Sequence, residues 1–181
     1  SRRQRQMCIR DRSYNAPHTP LQATAMDLER NNHIEVEKRR TYAAMVSSMD
    51  DGIGLILDKL EEKKITDNTI VIFFSDNGGV EWYNFSDNGI LRGIKGDFYE
   101  GGIRVPFTMQ WPSKIKPGTI YDKPIIALDV FATVASAASA EKYIRNDIDG
   151  VDILPYITGE KSGLPHKYLY WQNPDKDIDV V

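Results

Sequence analysis

Six residues, Thr-Ile-Val-Ile-Phe-Phe at 69–74, restrict the folds open to this chain more than any other stretch. The run is apolar after its first position and shows no polar–apolar alternation. A strand with apolar side chains on both faces needs both faces covered, as in a central parallel strand under helices. Upstream, Tyr42, Val46, Met49, Ile53, Ile56, Leu57 and Leu60 recur at steps of three and four, the stripe of an amphipathic helix. Thr66, Asp67 and Asn68 make a turn between them. A helix followed by a buried strand points to α/β layering.

The segments around this pair read less sharply. Residues 26–40 are polar and read as a surface excursion. Residues 76–104 form a long, glycine-rich connection. Loops of that length in compact domains are functional or disordered, and the aromatics Trp82, Tyr83, Phe85, Phe98 and Tyr99 argue against disorder. A second strand is expected within 105–112, between Pro106 and Pro112. Residues 128–140 read as a buried helix of small apolar residues, with Asp129 near its N-terminus where a carboxylate suits the dipole. A short helix ended by Gly159 and a strand over 167–172 complete the reading.

Composition sets bounds. With 181 residues, 41% of them hydrophobic, the chain can build a real core. No apolar run of about 18 residues spans a membrane, and the N-terminus lacks the apolar region of a signal peptide. Residues 1–12 hold five arginines and one acid, Asp11; the remainder holds 18 basic against 25 acidic residues. The acidic body gives no reason to expect nucleic acid as a partner, and residues 1–13 read as a non-native or disordered basic head. Cys8 is the sole cysteine, so no intrachain disulfide forms.

The chemistry-bearing residues lie where the apolar run stops, at Ser75-Asp76-Asn77-Gly78-Gly79. Ligands in open α/β sheets sit beyond the carboxyl ends of strands. A carboxylate and a neighbouring amide oxygen are hard ligands for Ca²⁺ or Mg²⁺. An ordinary Asp-Asn-Gly turn explains the same letters. Lys95, between glycines in the loop leaving this tip, can hold an anion as a point charge or simply be solvated. His18 stands in a stiff Pro-flanked segment, as a functional or a structural histidine. Asp147, Asp149 and Asp152 mimic the spacing of a calcium loop but lack its terminal glutamate, and read as structural. Glu100 and Arg104 are placed to pair, and Trp82 and Tyr83 read as packing before pocket lining.

Five segments taken together carry a resemblance: Ala-Pro-His-Thr-Pro-Leu-Gln-Ala at 16–23, the helix from Tyr42, the 69–79 strand and its tip, Leu-Arg-Gly-Ile-Lys-Gly through Phe107, and Asp-Ile-Asp-Gly-Val-Asp at 147–152. In this order the chain resembles the sulfatase family, from about Tyr14 to about Gln172. The resemblance implies a partial alkaline-phosphatase-like sandwich, α/β with a mostly parallel sheet and helices on both faces. It implies a divalent cation, calcium with magnesium as the alternative, on Asp76 and Asn77. It implies that His18 and Lys95 contact the sulfate of an aryl or carbohydrate sulfate ester and serve catalysis.

The same resemblance implies a formylglycine nucleophile made from a Cys-x-Pro-x-Arg segment, and this chain has none. Cys8 and Arg12 have the right separation, but Arg10 holds the proline position and Cys8 stands only ten residues before His18. Asp50 and Asp51 sit mid-helix and read as a solvated face, not as the family's early metal pair. The expectation is therefore a fragment, inactive alone, with residues 14–166 as part of the catalytic domain and 167–181 as the start of a truncated subdomain. The parent is expected to be exported, whether periplasmic, secreted or lysosomal. A phosphodiesterase or phosphonate hydrolase of the same superfold, or a non-catalytic module, is the alternative. Nothing in the sequence sets an oligomeric state.

Overall fold

The computed structural model describes residues 11–143, 147–173 and 178–180, so the basic head lies outside it except for residues 11–13. The described residues divide into two compact units, one over 11–109 and one from 110 onward.

In the first unit the dominant element is the expected helix. A short helix α1, Ala25–Arg30, precedes the 26-residue helix α2, Glu37–Glu62. The polar stretch 26–40 is thus mostly exposed, as it reads, but it is built into α1 and the start of α2, with Asp27 and Asn31 buried. Thr24 caps α1 by accepting a hydrogen bond from the Asp27 amide (3.2 Å), and its hydroxyl donates to the Asp27 carboxylate (2.7 Å). Asp27 is buried, and Asn31 donates to its carbonyl and to Ser47 of α2. Asp27 and Asn31 are the exceptions to the polar reading because they are satisfied inside the α1–α2 contact, where hydrogen-bonded polar groups are tolerated. The most buried residues of α2 are Ala44 and Met45, which lie beside the expected stripe. Members of that stripe are half-buried, and Ile56 is exposed. Asp51 is exposed and pairs with Arg30 of α1 (2.7 Å), so the Asp50–Asp51 pair is the solvated face it reads as.

A 3₁₀ turn, Thr66–Asn68, leads to β1, Val71–Phe74, which pairs with β2, Phe107–Gln110. Phe74 and Phe107 bring their rings to 5.9 Å across that pair. β1 is half-buried and Phe74 is 39% exposed, less cover than its composition predicts. Among the described residues β1 has one strand neighbour, so only part of its surface is enclosed. Two single-turn helices, α3 (Glu81–Asn84) and α4 (Glu100–Ile103), punctuate the long 76–104 connection.

In the second unit the small-residue helix forms as α5, Leu128–Ala137, and the short helix as α6, Leu154–Ile157, with Gly159 beyond it at a φ of 81°. Asp129 does more than face a dipole. It is fully buried and accepts hydrogen bonds from the amides of Ile126 (2.9 Å) and Val151 (2.8 Å) and from His166 Nε2 (2.8 Å). One turn later Thr133 accepts from the Ile153 amide (3.0 Å). The 150–153 segment is thereby held against α5. The strand expected over 167–172 begins later, as β3, Trp171–Asn173, antiparallel to β4, Ile178–Val180, with Trp171 opposite Val180.

Candidate functional site

The site lies in the first unit, at the end of β1. There the chain makes a sharp exit that two glycines permit. Gly78 is buried, and its amide donates to the Gly102 carbonyl (2.9 Å). A Cβ on Gly78 would collide with the Gly101 carbonyl oxygen, and one on Gly79 with the Ser86 side chain. The Gly-Gly of the tip is therefore a requirement of close packing against the buried Gly101-Gly102 pair of α4. Gly78→Ala is expected to destabilise the first unit by about 1–3 kcal/mol or more, the range for overpacking a tight interior. A melting temperature equal to the parent's would rule this packing out.

That packing joins two motifs. Beyond α3 the chain returns through Leu91–Lys95, and the Lys95 amide donates to the Gly79 carbonyl (3.4 Å). The Gly101 amide donates to the Arg92 carbonyl (2.7 Å). Arg92 lays its guanidinium over the Tyr99 ring, 3.8 Å from the centroid, which stiffens the same turn. The lysine loop thus joins the backbone at Gly79, just past Asp76 and Asn77, although it lies almost twenty residues beyond them along the chain.

The side-chain chemistry is that of an open charged site. Asp76 and Lys95 are both exposed, and among the described residues neither side chain makes a hydrogen bond or an ion pair. Asn77 donates its Nδ2 to the Gly78 carbonyl (2.9 Å), which leaves Oδ1 free to act as a ligand. Ser75 closes the turn by donating its hydroxyl to the Asn77 carbonyl (2.9 Å). Two adjacent hard oxygens suit a divalent cation in kind, while Ca²⁺ takes six to eight. Among the described residues no group of three or more His, Cys, Asp or Glu side chains gathers to hold a metal. The residues present fit one face of a cation site.

His18 is placed differently. It is exposed, its Nδ1 lies 2.6 Å from the Thr19 carbonyl oxygen, and its own amide donates to the Asn15 carbonyl (2.8 Å). Its loop borders a cleft of roughly 460 Å³ lined by Tyr14, Thr24, Asp27, Met45 and Met49. No hydrogen bond or ion pair among the described residues ties it to Asp76, Asn77 or Lys95.

The peripheral readings sort themselves. Glu100 and Arg104 pair (3.0 Å) but stay exposed. Trp82 and Tyr83 are 74% and 56% exposed, with their rings 5.5 Å apart, so they are not buried packing residues. Asp152 accepts from the Leu154 amide (3.0 Å) at the start of α6, a local structural role. Asn88, which sequence reasoning passed over inside an ordinary-looking Asp-Asn-Gly, makes more site contacts than any of them. Its Oδ1 accepts from the Gly79 amide (2.9 Å), and its Nδ2 donates to the carbonyls of Gly79 (3.0 Å) and Gly93 (3.1 Å).

Comparison with known proteins defines the class. Residues 12–140 match the Sulfatase family model. The sulfatase YdeN of Escherichia coli, itself uncharacterized, is 38% identical over 160 residues, covering 88% of this chain and 28% of that protein. The steryl-sulfatase of Mus musculus is 38% identical over 136 residues, covering 71% of this chain and 22% of that protein. Among solved structures, Ps i-CgsB in complex with k-i-k-neocarrahexaose superposes with a TM-score of 0.79 at 36% identity, over 87% of this chain and 34% of that one. The chain belongs to the sulfatase family and has its alkaline-phosphatase-like α/β fold. It spans roughly a quarter of the length of these curated relatives.

Proposed function

We propose that this chain is the later part of the catalytic domain of a sulfuric ester hydrolase acting on an aryl or carbohydrate sulfate, with residues outside the chain supplying a formylglycine nucleophile. Asp76 and the Oδ1 of Asn77 hold one face of a divalent cation, Ca²⁺ in preference to Mg²⁺. Bound there, such a cation would supply charge that neutralises sulfate oxygens and favours the ionised form of an attacking hydroxyl. Lys95 presents an ammonium to a further sulfate oxygen, a fixed charge of the kind that often contributes the largest single catalytic effect. His18 acts at the leaving oxygen, by hydrogen bonding or proton transfer. An exported parent protein belongs to the same proposal.

The observation that supports this reading is the Lys95–Gly79 hydrogen bond, which sets a cationic loop beside the Asp76-Asn77 tip with both charges unspent on each other. Calcium titration tests it. Ca²⁺ is expected to shift the amide resonances of Asp76, Asn77 and Gly78, and Asp76→Ala is expected to abolish the shift. Identical calcium responses in the two proteins would sink the metal assignment.

A further inference from the structure

Asn88 is the point where the two halves of the site are tied together. Its primary amide offers a carbonyl oxygen and two N–H groups on a one-carbon stem. Here the oxygen takes the Gly79 amide proton, and the nitrogen serves the carbonyls of Gly79 and Gly93. Gly79 follows the Asp76-Asn77-Gly78 tip directly, and Gly93 lies two residues before Lys95. The Gly79 carbonyl accepts from Asn88 Nδ2 and from the Lys95 amide at once, so one oxygen links the tip, the asparagine and the lysine loop. Asn88 is itself anchored: its amide donates to Glu81 Oε1 (3.0 Å), and its carbonyl accepts from the Leu91 amide (3.2 Å). The residue is half-buried, as a bridge between two backbone segments must be.

No other side chain replaces this set. Aspartate keeps acceptors for the Gly79 amide but turns them on two carbonyl oxygens. Leucine has a similar shape and no polar atom, and it leaves an N–H and a carbonyl without partners, a costly state inside a protein. Glutamine carries the same amide on a longer stem, so the fork no longer reaches both segments from one Cα.

We propose that Asn88 is a positioning residue for anion binding: it sets the distance between Lys95 and the Asp76-Asn77 tip while touching neither the anion nor the cation. This rests on the sulfate-contact reading of Lys95 given above. Misplacing a charged group by about an ångström in a preorganised site is enough to cost up to about a hundredfold.

The test titrates inorganic sulfate into the ¹⁵N-labelled, calcium-supplemented 181-residue chain, at a temperature where circular dichroism shows each variant folded. Asn88→Leu is expected to weaken sulfate binding about tenfold or more, and Asn88→Asp by a smaller factor because one of the three hydrogen bonds survives. Lys95→Ala, as reference, is expected to remove the response. Variants that melt earlier yet bind sulfate as tightly as the parent would reduce Asn88 to a stabilising residue and overturn the proposal. If the parent itself shows no sulfate response, the sulfate-contact reading fails, and hydrogen exchange decides the rest. Joint loss of protection at the Gly79 and Lys95 amides in Asn88→Leu upholds the tie, and an unchanged Lys95 amide overturns it.

Discussion

Asp129→Ala is expected to lower the melting temperature of the second unit by about 12 °C or more, from a loss of about 3–5 kcal/mol. The carboxylate is fully buried, and all its partners are backbone amides or an imidazole held nearby. Removing it strands the Ile126 and Val151 N–H groups and leaves His166 facing an emptied polar cavity. Each orphaned buried donor carries a desolvation cost of about 1–3 kcal/mol. Asp129→Asn is expected to be milder, since one oxygen still accepts while the new NH₂ opposes a second donor. A thermal scan separates these cases, and an Asp129→Ala midpoint within a few degrees of the parent would show that the buried network contributes little.

Lys95→Ala is expected to lower kcat/KM for an aryl sulfate by about 10²–10³-fold, in a longer chain that carries the formylglycine segment. On the proposed role of Lys95, its ammonium would meet sulfate charge at this loop, and its loss would leave that charge without a partner as it develops. Folding should be little affected, because the side chain is exposed and makes no hydrogen bond or ion pair among the described residues. The 181-residue chain alone is expected to release no sulfate, since it holds no Cys-x-Pro-x-Arg segment. Sulfate release by this chain that disappears in Lys95→Ala would overturn the view that the nucleophile lies elsewhere.

These two residues also mark how far the letters could be read. For Lys95 the sequence supplied a cation between glycines after a strand tip, and the long helix was legible because its apolar residues repeat at the helical period. Asp129 was legible only as an acid at the start of a helix. Its partner His166 lies 37 residues away, and nothing local announces that the two meet. Within the mostly exposed stretch 26–40, two buried residues escaped notice for a related reason. Hydropathy treats Asp27 and Asn31 as solvent-seeking, whereas Thr24, Ser47 and neighbouring backbone groups satisfy them inside the fold.

Sequence alone determined the α/β layering, a helix running on from Tyr42, a strand within 69–74 and the residue types present at Asp76, Asn77 and Lys95, because local periodicity and residue type carry that information. Only the tertiary structure decided that Gly78 must be glycine, that Asn88 bridges Gly79 to Gly93, and that Asp129 is an interior hub. Those facts depend on which backbone groups come within 3 Å or so after folding, a hydrogen-bond length that spacing along the chain does not encode.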